Sequence, residues 1–122
     1  DRYRKNLSGV DGIALSPEPG TGSQDNVQSN YSYMPVLFDE AKLNGITRDD
    51  IYDALQKHNI YSRKYFYPLI TDFDCYKNQF DSSQTPVAQW VSQRILCLPM
   101  FADLPLADVD RISEIILATI KQ

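Results

Sequence analysis

The sequence is poor in the residues that most protein chemistry is built from. It holds one histidine, two cysteines, one tryptophan and five glycines among 122 residues. Cys75, Cys97 and His58 cannot fill a four-ligand structural zinc site, so no metal centre is expected. The two cysteines read instead as buried or half-buried free thiols of a reducing compartment, which makes the cytoplasm the expected location. No apolar run approaches the roughly 20 residues that span a bilayer, and no signal peptide is read at Asp1. The chain opens without methionine and reads as a processed or excised piece of something longer. Basic residues are outnumbered, 12 against 16 acidic, for a net charge of −4 and a pI near 4.8. That balance argues against a general nucleic-acid or anionic-membrane surface.

What remains is a globular composition. Hydrophobic residues make up 43% and aromatics 11%, enough for one domain over residues 1–122 with a modest core. Asp1–Leu7 finishes a helix that Ser8-Gly9 ends, and Val10–Leu15 reads as a short strand. Ser16–Ser29, with Pro17, Pro19, Gly20 and Gly22, is a loop, either a connection or an active-site flap. Tyr31–Phe38 is a strand in which Pro35 calls for an edge position or a bulge, and Asp39–Gly45 is the turn after it. Thr47 then caps a helix whose first turn carries Asp49 and Asp50, with Ile46 placed to staple onto Ile51. Ile51, Ala54, Leu55 and His58 share one face of that helix. His58 is expected to touch terminal carbonyls rather than to catalyse. Asp72 and Asp74 invite an acid–base reading, but no partner base or ligand set stands near them, and capping or solvation accounts for both.

Thr85-Pro86 starts a further helix with Val87, Ala88, Val91 and Ile95 as its apolar face, which Trp90 extends. Leu96–Pro99 is extended. A last helix from Leu106 to Lys121 buries Val109, Ile112, Ile116 and Ile120, with Ile115 beside them. The expected fold is α+β, with about three helices on one face of a small antiparallel sheet.

One stretch stands out, from Asn59 to Ile70. Arg63 offers a planar fork of donors and Lys64 a compact charge, both suited to phosphate or carboxylate oxygens. Tyr65, Phe66 and Tyr67 stack or pack while a phenol keeps a hydrogen-bonding handle. By composition the same stretch also reads as an aromatic-rich strand with its cations in solvent. Strand alternation puts Arg63, Tyr65 and Tyr67 on one side and Lys64 and Phe66 on the other. Phe66 and Pro68-Leu69 are expected to pack toward the core.

Four blocks in order resemble the C-terminal segment of the PLP-dependent sugar aminotransferases of the DegT/DnrJ type, which act on nucleotide-linked keto sugars. Asn30–Val36 resembles the family's NYxYxPv strand and Thr47–Leu55 its RdxlyxaL helix. Gly-Ile-x-[Ser/Thr]-Arg followed by an aromatic pair and Pro-Leu matches Asn59–Leu69, with Asn59 where glycine is common. Pro86–Met100 resembles the block that ends in Leu-Pro. The resemblance implies the small C-terminal domain of an aminotransferase, with the large PLP-binding domain absent. The Schiff-base lysine, the group under the pyridine nitrogen and the phosphate cradle would lie in that missing part. No catalytic or cofactor-binding residue is therefore expected here, and no PLP bound by this piece alone. Arg63, Lys64 and Tyr65 are the residues the resemblance places against a nucleotide-sugar substrate. Tyr65 stands where histidine is commoner, and Ile70 where many relatives carry a second histidine, so the keto sugar cannot be borrowed from those members. The resemblance further implies glutamate as amino donor, a homodimeric parent enzyme and a role in amino-sugar and polysaccharide biosynthesis. A free-standing module for an anionic or sugar ligand is the other reading of the same stretch.

Overall fold

The computed structural model describes residues 1–17, 26 and 29–121. Most of the loop expected at 16–29 falls outside these residues.

Met34, Val36 and Phe38 alternate with Pro35 and Leu37, and the first three are buried. That alternation decides which side of the sheet becomes the core. In chain order come α1 (Arg2–Leu7), β1 (Ile13–Leu15), β2 (Met34–Phe38), α2 (Arg48–Lys57), β3 (Arg63–Lys64), α3 (Pro86–Arg94), β4 (Ile95–Leu98) and α4 (Leu106–Ile120). The strands form one antiparallel sheet in the order β1-β2-β4-β3. Met34 stands opposite Leu98 and Val36 opposite Leu96, so the two central strands offer one continuous apolar face. Ile51 and Leu55 of α2, Val109, Ile112 and Ile116 of α4, and Tyr3 and Leu7 of α1 close over it. Helix α4 lies against both α1 and α2. The α+β expectation is thus observed, with α1, α2 and α4 as the helices that cover the sheet.

The α2 boundaries follow from local chemistry. Thr47 Oγ1 accepts the Asp50 N–H at 3.2 Å, and the Asp50 carboxylate accepts the Thr47 N–H at 2.8 Å, a reciprocal box that satisfies two orphan donors. These Thr47 hydrogen bonds hold the Asp50 carboxyl below its usual range. At the other end Asn59 adopts φ of 60°. The Ile60 N–H reaches the Leu55 carbonyl at 3.0 Å and the Asn59 N–H reaches that of Gln56 at 2.9 Å. This is the paired closure in which a left-handed residue ends a helix; asparagine tolerates that conformation nearly as glycine does. His58, the residue before, is exposed and its backbone N–H bonds the Leu55 carbonyl.

Several expectations are corrected. The strand expected from Tyr31 begins only at Met34, because Ser29 Oγ and Asn30 Oδ1 accept the N–H groups of Tyr31 and Ser32 and draw the chain into a turn. Strand β2 is interior to the sheet, not at its edge. Pro35 is tolerated because β1 has already ended: its last pair is Leu15 with Val36, and a missing N–H costs nothing where no neighbour needs it. Helix α3 does not bury its apolar face. Val87 is 75% and Trp90 42% exposed, since α3 runs without a loop into β4 and takes its direction from that strand. Thr85 does not cap it; its hydroxyl donates to the Ser82 carbonyl. Ile95 belongs to β4 rather than to the helix. Of the two free thiols, Cys97 is buried and Cys75 is exposed, because the segment around Cys75 lies outside the core.

Helix α1 is fastened to α4 by a fork. Arg2 Nε and Nη2 donate to the two Asp110 oxygens, each at 2.6 Å, and Asn6 Nδ2 donates to Oδ1 at 2.7 Å. The Arg2 and then the Asn6 hydrogen bonds pull the Asp110 carboxyl down to about 2. Two predictions follow from this packing. Ile116 is fully buried, so Ile116→Ala should lose about 2–5 kcal/mol, a large share of the roughly 5–15 kcal/mol a domain holds, as read from denaturant melts. Asp110 has a folded pKa below its unfolded value of roughly 3.9, so its stabilisation is complete above that value and is lost as pH falls toward about 2. The melting temperature of Asp110→Asn should therefore lie below wild type at neutral pH, and the gap should close on acidification across that window. A gap that stays constant down to the lower limit would show that the carboxylate charge contributes nothing.

Candidate functional site

The sheet face turned away from the three helices carries the candidate site. Arg63 on β3 stands opposite Cys97 on β4, and Cys97 opposite Pro35 on β2. These three residues form a row across the sheet, and side chains in register share a face. The Tyr33 and Tyr65 rings meet on this side of the sheet, with ring centroids 4.8 Å apart and planes tilted by 38°. Phe66 stacks on Tyr65 at 4.0 Å. Arg63 opens onto a cavity of about 290 Å³ lined also by Ser32, Tyr33, Tyr61, Cys97 and Met100.

The electrostatics of this face are unbalanced. Arg63 is exposed and, among the described residues, has neither a carboxylate within ion-pair distance nor a hydrogen-bond partner. A guanidinium in that state holds all its donors ready for an incoming anion. Burial, and after it the Tyr33 hydroxyl, raise the Tyr65 phenol above its ordinary value, so Tyr65 is a neutral donor at physiological pH. Burial also raises the Cys97 thiol, against the opposing charge of Arg63; the sulfur is a protonated wall of the cavity.

The structure sets Lys64 apart from Arg63, while Tyr65 meets the Tyr33 and Phe66 rings and does not itself line the Arg63 cavity among the described residues. Lys64 Nζ lies 2.9 Å from Asp49 Oδ1 and over the Tyr52 ring at 4.5 Å, on the helix-covered side. Tyr67 does not join Arg63 and Tyr65 as alternation suggested. The strand ends at Lys64 and the chain turns at Tyr65-Phe66, so Tyr67 swings over Arg48, 4.9 Å from ring centroid to guanidinium carbon. Nor does Phe66 pack inward: it is 62% exposed, because its partner is the Tyr65 ring and not the core. Pro68 is exposed and only Leu69 is half-buried.

The acidic pair after this stretch forms no site. Asp74 pairs with Lys77 at 2.8 Å, and among the described residues no cluster of three His, Cys, Asp or Glu side chains is placed to hold a metal. No helix among them is long and apolar enough to cross a membrane.

Two participants escaped the sequence reading. Tyr33 was seen only as part of a strand, although its place two residues before Pro35 in the Asn30–Val36 block marks it. Arg48 was read only as part of a helix block. It is 2% exposed, and its Nη1 donates to the carbonyls of Ser92 at 3.2 Å and Ile95 at 3.0 Å. Nothing in local sequence distinguishes such an arginine from a solvated one at a helix start.

This chain has well-matched relatives. A protein from Escherichia coli called dTDP-4-amino-4,6-dideoxy-D-glucose transaminase is 39% identical over 117 residues, which is 94% of this chain and 30% of that protein. A Shigella dysenteriae protein of the same name is 33% identical over 120 residues, 98% of this chain and again 30% of the relative. The chain thus spans about 30% of the length of these curated relatives. Among solved structures, DesI in the presence of its TDP-sugar product superposes with a TM-score of 0.81 at 24% identity, over 98% of this chain and 29% of that one. PseC from Helicobacter pylori, an aminotransferase involved in pseudoaminic acid biosynthesis, superposes at 0.75 with 18% identity, over 98% and 30%. At those identities the likeness speaks for the fold. Residues 1–117 match the DegT/DnrJ/EryC1/StrS aminotransferase family, over nearly all of the sheet and the helices that cover it, and the chain belongs to that family.

Proposed function

We propose that this chain is the C-terminal small domain of a PLP-dependent sugar aminotransferase, which converts a nucleotide-linked keto sugar to an amino sugar. The observation that carries the reading is Arg63, without an ion-pair partner among the described residues, in a cavity that Tyr33 also lines, on the sheet face that none of the three core helices covers, in a chain of this family. The names of the two relatives support a dTDP-linked 4-keto-6-deoxy sugar as acceptor. Glutamate is the proposed amino donor, and the parent is proposed to be a cytoplasmic homodimer that supplies amino sugars for polysaccharide.

The described residues that line the Arg63 cavity do not by themselves fit the cofactor. The Arg63 cavity is lined by no lysine that would hold an aldehyde and by no carboxylate for a pyridine nitrogen, and Lys64 is turned to the opposite face. In this reading PLP is held by the large domain, and the small domain contributes binding. Arg63 gives a charge-assisted bond to a phosphate oxygen, and the neutral Tyr65 phenol donates to a sugar or phosphate oxygen. Lys64 has its charge satisfied by Asp49 and acts as a brace. The stacked rings exclude water from one side of the cleft, which strengthens both bonds.

The full-length protein, given dTDP-4-keto-6-deoxyglucose and glutamate, should form the 4-amino sugar by mass spectrometry. Tyr65→Phe removes one hydroxyl and leaves the ring stack, so melting temperature should hold. A lost bond to a charged oxygen costs roughly 1.5–3 kcal/mol, and kcat/KM should fall about 10- to 100-fold. Wild-type kinetics would make Tyr65 a structural aromatic only. The present chain alone, incubated with PLP and reduced with borohydride, should show no stoichiometric adduct at one lysine by intact mass. Such an adduct would place the cofactor site here and overturn the reading.

A further inference from the structure

Strand β3 is only two residues long and lies at the edge of the sheet, paired on one side. Two backbone pairs are a weak hold on an element that presents Arg63 and leads into the turn at Tyr65, because edge strands held by few pairs fray readily. The additional hold comes from the alternate residues. One oxygen of Asp49 is shared by two cations from different elements: Lys64 Nζ at 2.9 Å and Arg48 Nε at 2.5 Å. Arg48 is in turn anchored to the carbonyls of Ser92 and Ile95 and covered by the Tyr67 ring. The chain on both sides of Tyr65 is therefore tied to one point at the start of α2, through Lys64 before it and Tyr67 after it.

We propose that Asp49 is a positioning residue for the substrate-facing pair Arg63 and Tyr65. It draws Lys64 to the helix side, and strand alternation then turns Arg63 to the opposite side, toward the cavity. The inference rests on the proposed function only for what the pair binds, not for how the pair is held. A bland role exists for the same residue, as an acid in the first turn of a helix. That role explains neither the Lys64 contact nor the shared oxygen. Partial burial works against ionisation of Asp49, and the hydrogen bonds and charges of Lys64 and Arg48 outweigh it, so the carboxylate remains charged at neutral pH. A misdirected binding group lowers efficiency without altering the groups that react, so the loss belongs in KM for the sugar nucleotide.

The test uses the full-length protein with a fluorotyrosine placed at position 65, as wild type, Asp49→Asn, Asp49→Glu, Lys64→Met and, as a control, Ile116→Ala. In Asp49→Asn and Lys64→Met the fluorine NMR resonance should shift or split. KM for the nucleotide sugar should rise about 10-fold, with the amino-donor half-reaction unchanged. Asp49→Glu should restore both readouts. Ile116→Ala should lower the melting temperature and move neither. Lys64→Met leaves the Arg48–Asp49 pair in place and decides the matter if Asp49→Asn does not fold. An unmoved resonance in the folded variants, or an unchanged KM with a moved resonance, overturns the proposal. A wild-type protein that turns over no nucleotide sugar overturns the functional reading instead, and the fluorine measurement still decides whether Asp49 holds Tyr65.

Discussion

A buried guanidinium organises the half of the molecule that carries the candidate site. Arg48 is almost fully removed from water, and an unpaired charge in that position would cost several kcal/mol. Its compensation is drawn from separate parts of the chain: the carbonyl of Ser92 near the end of α3, the carbonyl of Ile95 at the start of β4, and the Asp49 carboxylate. Each partner must keep its place for the charge to stay satisfied. The start of α2, the junction of α3 with β4 and the loop bearing Tyr67 are therefore held to one another by a requirement more directional than apolar packing. Replacing only one partner would leave a charge stranded, so the arrangement resists piecemeal change.

The sheet divides the labour between its faces. The helix-covered face takes Met34, Val36, Phe38, Leu96 and Leu98 and supplies most of the burial that offsets chain entropy. The other face holds Pro35, Cys97 and Arg63 in one row. No helix of the core presses on that row, and among the described residues the Arg63 guanidinium keeps its donors unused. A rigid scaffold under an uncommitted polar surface is the arrangement that binding requires.

The exposed apolar side chains tell a related story. Phe66, Phe73, Tyr76, Phe80, Val87 and Trp90 all keep 41% or more of their surface in solvent, and they follow one another along a single length of chain. Isolated apolar side chains on a surface need no explanation; these six follow from one cause, since the segment from Phe66 to Trp90 contributes no residue to the core cluster among the described residues.

The sequence by itself determined the elements whose causes are local. The α2 cap at Thr47 and Asp50, its closure at Asn59, the apolar stripe of α4 and the extended Leu96–Leu98 all depend on neighbours within a few residues, and the periodicity there is clean. The family was legible for a similar reason, since its blocks are short runs in a set order. What local pattern could not contain was decided by the tertiary structure. Alternation through Arg63–Tyr67 stops where backbone pairing stops, so Tyr67 and Phe66 left the sides that a longer strand would have given them. Val87 and Trp90 form an apolar pattern with no surface to meet, because β4 sets the direction of α3. Arg48 reads only as part of a helix block and Lys64 as a substrate-facing cation until Asp49, Ser92 and Ile95 are brought beside them. Burial and ion pairing are properties of contacts between distant residues, and only the folded chain specifies which distant residues meet.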